Sequence, residues 1–240
     1  MSEQRTSIYG QPKEMKIFVT NSLGRQLMHD SKMEESTINN IVDMMGALQH
    51  FKGIERARQA HSLYEQLFPQ YFETLKPNLP RPPICGKSCN ACCYQYLGVC
   101  KEEAELIYDL ALKTGIMPSV KTLRYQARFN NPNDYWSRFG KRTKCGFLHP
   151  EKGCLIYTNR PLSCRSLLSV EESSEMCKPN EDGRPRSVKY VFNYPSEIII
   201  SALLNLSLQE RSTKDIRNHA EEGVNPIVSL PSRLLDLIGK

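Results

Sequence analysis

The chain has 240 residues, 40% hydrophobic and 24% charged, which suits one globular domain with an appendage or two small domains. Its formal net charge of +6 is mild and spread along the sequence, so it permits an acidic partner without marking a nucleic-acid binder. Met1 to Pro12 is polar, with no signal-peptide core. The longest apolar stretch, Ile198 to Leu208, is broken by Ser201, Asn205 and Ser207. The expectation is a cytoplasmic protein without a membrane span.

Met15 to Thr20 reads as a short strand. From Ser36, placed as an N-cap, Ile38, Ile41, Val42, Met45 and Leu48 recur at helical spacing. A second helix is predicted from Ile54 to Phe68, with Ile54, Ala57, Ala60, Leu63, Tyr64 and Leu67 on one face and Gly53 separating it from the first. Together they form a helical hairpin. His50 and His61 on these helices read as surface or packing residues rather than ligands. Lys76 to Pro83 holds Pro77, Pro80, Pro82 and Pro83, an extended and stiff segment. The division expected is a helical appendage at 1–76, a linker at 77–84 and a cysteine-bearing domain with C-terminal helices at 85–240.

Beyond the linker, Lys101 to Gly115 is predicted helical, with Glu102, Glu103 and Glu105 where the helix dipole favours acid and Gly115 as the stop. Leu106, Ile107, Leu110 and Ala111 give its apolar side. Ser119 to Asn130 forms a further helix whose Lys121, Arg124 and Arg128 read as a solvated face. Tyr135, Trp136 and Phe139 form a packing segment. A turn of Pro150, Glu151, Lys152 and Gly153 between short apolar runs predicts a β-hairpin, with Cys145 and Cys154 opening its strands. His149 sits at that turn, as a surface residue. Ser187 to Phe192 reads as a strand, Pro195 to Arg211 as a helix with Pro195 in its first turn, and Ser232 to Ile238 as a short helix. The fold class is therefore α+β and mostly helical, with a small hairpin and irregular loops around the cysteines.

The cysteines carry the chemistry. Cys85, Cys89, Cys92 and Cys93 fall within nine residues, and Cys145, Cys154, Cys164 and Cys177 follow. In a reducing compartment such clustering reads as metal ligation rather than as disulfides. Thiolates select zinc, iron–sulfur clusters or Cu(I), and four satisfy one tetrahedral zinc or one cluster. Eight suggest two sites, or one site plus redox-active thiols. Cys93 is awkward as a fourth ligand beside Cys92, so it is a candidate for the second site. Cys100 stands apart as a spare thiol. Arg160 and Arg165 flank Cys164, either compensating thiolate charge or gripping an anionic ligand, or else bonding turn carbonyls. Cys85-x3-Cys89-x2-Cys92 also has radical-S-adenosylmethionine spacing, but the βα repeats of that fold do not follow.

The order Cys-x3-Cys-x2-Cys-Cys, then Cys145-Gly-Phe-Leu, then Tyr157-Thr-Asn-Arg160-Pro161-Leu-Ser-Cys164-Arg165, then Cys177, resembles the CxxxCxxCC (YkgJ-like) cysteine-cluster family. The resemblance covers Cys85 to about Cys177. It implies a zinc- or iron-chelating domain with these eight cysteines as ligands. Flagellin lysine-N-methylase carries a related domain, which implies a role in protein modification, with S-adenosylmethionine as cofactor and a protein as substrate. Two other classes stand beside it: a non-enzymatic, metal-stabilised interaction module, and a zinc-dependent nucleic-acid binder. The last lacks a basic stripe interleaved with aromatics.

Overall fold

The computed structural model describes residues 34–86, 89–94, 97–128, 144–177, 189–210 and 227–239. The strand expected at Met15–Thr20 and the aromatics Tyr135, Trp136 and Phe139 lie outside these residues, as do Asn130, Ser187 and Arg211 at the ends of predicted elements.

Among the described residues six helices dominate: α1 (Glu34–Leu48), α2 (Gly53–Leu75), α3 (Lys101–Thr114), α4 (Val120–Gln126), α5 (Tyr194–Gln209) and α6 (Leu230–Ile238). Three two-stranded antiparallel pairs among these residues join them. β1 (Gly98–Cys100) pairs with β6 (Ile227–Ser229), β2 (Leu148–His149) with β3 (Gly153–Cys154), and β4 (Leu167–Ser169) with β5 (Tyr190–Phe192). The fold is the mostly helical α+β arrangement that the periodicities predict. Among the described residues no helix is long and apolar enough to cross a membrane.

Several boundaries differ from the sequence reading. Helix α1 begins at Glu34, so Ser36 lies inside it rather than at its cap. Ile41 and Leu48 are buried as expected, but Val42 is 53% exposed. Helix α2 runs through Pro69 to Leu75 instead of stopping at Phe68. Proline deletes one intrahelical donor, but the aromatic ladder continues beyond it. Phe68 meets Phe72 at 5.6 Å and Tyr71 meets Tyr194 of α5 at 6.3 Å. The linker opens with a 3-10 turn at Lys76–Asn78 before it extends. Ser119 caps α4 by accepting from Thr122 N at 3.3 Å, and Gly115 stops α3 at φ 69°. Cys145 precedes β2 by three residues and Cys154 closes β3, so neither opens its strand.

Two cores result. The first joins α1, α2 and α5 through Ile41, Leu48, Ala60, Tyr64, Ile199 and Leu203, with Cys100 and Leu162. The second joins α3, α4 and α6 through Ile107, Ala111, Leu123, Leu230 and Leu234, with Val99, Phe147 and Ile156. Cys145 and Cys154 pack on its edge.

Candidate metal centre

The cysteine run is a chain of tight turns. Cys89 N donates to Gly86 O at 3.0 Å, and Cys93 N to Asn90 O at 3.0 Å. The second of these lies at the 3-10 turn Ala91–Tyr94, which carries the adjacent pair Cys92 and Cys93. Cys145 N then donates to Cys93 O at 2.7 Å, fastening the distant half of the cysteines onto the first. Gly146 follows because a Cβ there would meet Leu123 Cδ2 at 3.1 Å and Pro118 Cβ at 3.2 Å. The hairpin presents Cys154, and the 3-10 turn Leu162–Arg165 presents Cys164.

Six of the eight family-pattern thiols, Cys89, Cys92, Cys93, Cys145, Cys154 and Cys164, line one cavity. Its volume of about 40 Å³ exceeds the ~10–15 Å³ that one water occupies. Leu97, Leu123, Phe147, Ile156, Leu230 and Leu234 supply apolar wall. Cys85 and Cys177 are outside this lining and converge on β4 instead. Cys85 Sγ accepts from Ser169 N at 3.2 Å, and Cys177 Sγ donates to Ser169 Oγ at 3.1 Å. Burial pushes the Cys85 thiol up, and the charges of Cys89, Cys92 and Cys177 add to this.

Cys93 is the hub of the thiols, hydrogen-bonded to both Cys154 and Cys92. Donation holds its own proton firmly and raises its pKa. The acceptors move the other way. Cys92 and Cys154 are each lowered to about 7, chiefly by the Cys93 hydrogen bond; burial opposes this and the Arg160 charge assists it. Burial drives Cys145 up to about 12 and raises Cys164 as well. None of the nine cysteines is in a disulfide.

The two arginines have different surroundings. Arg160 lines the cavity, its guanidinium 4.4 Å from the centre of the Tyr157 ring. Arg165 is buried and bonds turn carbonyls, donating to Thr158 O at 2.7 Å and Arg160 O at 3.2 Å. It also pairs with Glu65 and lies 4.7 Å from the Tyr64 ring centre. His149 is a turn residue whose Nδ1 accepts from Glu151 N and Lys152 N, both at 3.1 Å. Cys100 is 2% exposed in the first core, an apolar packing role.

Residues 84–181 match the family CxxCxxCC, described as "Putative zinc- or iron-chelating domain". The match spans the cysteine-bearing stretch, and this part of the chain is similar to that family. No curated protein and no solved structure matches the chain.

Among the described residues, no three His, Cys, Asp or Glu side chains already converge at metal-binding geometry. The donor chemistry nevertheless fits a soft metal. The Cys93 thiol bonds Cys92 and Cys154 through its proton, and a metal bound there would displace such protons. The sequence reading missed Ser169, Glu103, Glu65 and Asn193 around the site. The first-turn position of Glu103 suggested only a dipole partner, and nothing in the local sequence marks the other three.

Proposed function

We propose that the domain binds zinc or iron through its eight family-pattern cysteines, divided into two four-thiol sets. Cys85, Cys89, Cys92 and Cys177 form one; Cys93, Cys145, Cys154 and Cys164 form the other. The observation that carries the reading is the gathering of six of these thiols, from separate segments, around one cavity. The division follows from neighbours. Cys85 feels Cys89, Cys92 and Cys177, whereas Cys93 bonds Cys154 as well as Cys92 and lies near Cys145. Cys92 and Cys93 are hydrogen-bonded to each other on the 3-10 turn, so they stand where the two sets meet. Arg160 offsets the negative charge that thiolates bring. Bound there, the metal supplies cross-linking and, at any open position, Lewis acidity or electron transfer.

Anaerobic reconstitution with metal and sulfide analysis tests this. Two metal equivalents, or two clusters, are expected. One equivalent overturns the division and leaves chelation standing; none overturns chelation. Acid-labile sulfide with absorption near roughly 400 nm identifies an iron–sulfur cluster, and a colourless protein with stoichiometric metal identifies zinc.

One observation favours an enzymatic reading over a purely structural module. The cavity extends past the thiols along an apolar wall from Leu97 to Leu234, which a closed structural cage does not need. Protein modification with S-adenosylmethionine as co-substrate is the form of that reading. Calorimetry of the loaded protein with S-adenosylmethionine decides it, and absence of binding returns the domain to the structural module.

A further inference from the structure

The turn that presents Cys164 is held from behind by helices, two of which lie outside residues 84–181. Leu162 N is the first donor of the 3-10 turn, a group with no partner inside its own turn. It donates to Glu103 Oε1 of α3 at 2.7 Å across 59 residues. The same oxygen meets His61 Nε2 of α2 at 2.9 Å. On the other side, Ser196 Oγ of α5 donates to Leu162 O at 2.7 Å, and Asn193 Nδ2 donates to Arg165 O and to Tyr64 Oη, each at 2.7 Å.

Glu103 is the unusual member. It is 1% exposed, and its Oε2 has no hydrogen-bond partner among the described residues. An acid that merely complemented the helix dipole would sit in solvent, where it costs little. Burying a carboxylate with one oxygen unpaired is costly. What that position obtains in exchange is a fixed start to the Cys164 turn.

We propose that Glu103, anchored by His61, is a positioning residue for the metal site, and that α2 thereby contributes to metal affinity from outside the cysteine domain. The inference rests on the chelation reading. Residues behind a first ligand shell orient the ligands, and their loss costs about 10–100-fold in affinity.

The test is zinc affinity of the full chain by competition with a chromophoric chelator, with the Co(II) thiolate spectrum as a second readout. Glu103→Ala is expected to weaken zinc about 10–100-fold and to alter the Co(II) spectrum. Glu103→Gln keeps an acceptor oxygen and is expected to restore most of both. His61→Ala is expected to give a smaller loss in the same direction. Glu102→Gln, at the neighbouring carboxylate paired with Arg56, serves as the control for stability alone: it should lower the urea midpoint and leave affinity and spectrum unchanged.

Wild-type affinity and spectrum in Glu103→Ala overturn the proposal. So does a loss that Glu102→Gln reproduces at equal destabilisation. Should Glu103→Ala not fold, His61→Ala decides, and unchanged affinity there overturns the proposal. A wild-type chain that takes up neither zinc nor Co(II) fails at the chelation reading instead, a result distinct from these.

Discussion

Glu197 gives the fold a pH dependence that can be worked out in sign and size. The residue sits on α5, fully buried, and neither carboxylate oxygen has a hydrogen-bond partner among the described residues. Burial pushes its carboxyl from 4.5 up to about 8. The nearby Ser166 hydroxyl, which donates to Leu162 O at 3.3 Å, offsets this only in part. Below the unfolded value both states hold the proton, and the folded state has its full stability. As pH rises towards the folded value, only the unfolded state releases the proton. Stability then falls by about 1.4 kcal/mol per pH unit, for a total of roughly 5 kcal/mol once both states are ionised. Glu197→Gln is neutral throughout and lacks this slope. Urea unfolding at pH 5.5 and 7.5 under saturating zinc measures it, with proton-linked metal binding common to both proteins. Between these two conditions the wild type should lose about 2–3 kcal/mol more than the variant. Equal losses in the two proteins refute the buried, protonated Glu197.

Two further changes probe burial without touching the cluster. Cys100→Ser places a hydroxyl in the first core and should cost about 1–3 kcal/mol while metal content stays at the wild-type value. Thermal unfolding and metal analysis of one sample check both halves of that statement. Arg56 is fully buried, with Nη1 3.0 Å from Glu102 Oε1, a second pairing to Glu210, and Nε donating to Phe51 O at 2.8 Å. Arg56→Met strands Glu102 and should cost about 3 kcal/mol, most of which Arg56→Met/Glu102→Leu should recover; a double variant no more stable than the single in urea contradicts the pairing.

What the sequence made legible was local. The Pro150–Gly153 turn lies between two apolar runs, so its hairpin could be read within ten residues. Gly115 could be read as a stop because its partner, Leu112 O, lies three positions away. The pairing of Gly98–Cys100 with Ile227–Ser229 could not be read, since three-residue strands offer too short a window for alternation and the partners are more than a hundred positions apart. Glu102 and Glu103 show the same limit. Position in a first turn predicts acid for both, and only tertiary packing turns one towards Arg56 and the other towards Leu162 N. The cysteine pattern signalled chelation because soft-metal chemistry depends on residue type and count. It could not show that Cys164 stands on a turn held by α2, α3 and α5, because those contacts run through side chains with no motif of their own.

The placement of the thiols also fixes what metal removal should do. A small zinc domain has little core besides its metal and unfolds when stripped. Here the first core, on α1, α2 and α5, contains none of the eight family-pattern cysteines. The second core takes Cys145 and Cys154 onto its edge, beside the short hairpin and the seven-residue α4. A hairpin with two residues per strand is unstable alone, so under the proposed chelation the ligation of Cys145 and Cys154 would add to its order. Stripping the metal should therefore loosen β2, β3, α4 and α6 while the α1–α2–α5 core persists. Hydrogen exchange before and after chelation is the direct measurement. Faster exchange is expected over residues 145–156, with slow exchange retained in the centre of α5, where Ile199, Leu203 and Leu204 are fully buried. Collapse of α5 protection together with the hairpin would mean that the two cores are one cooperative unit, and would refute a scaffold that stands ready before the metal arrives.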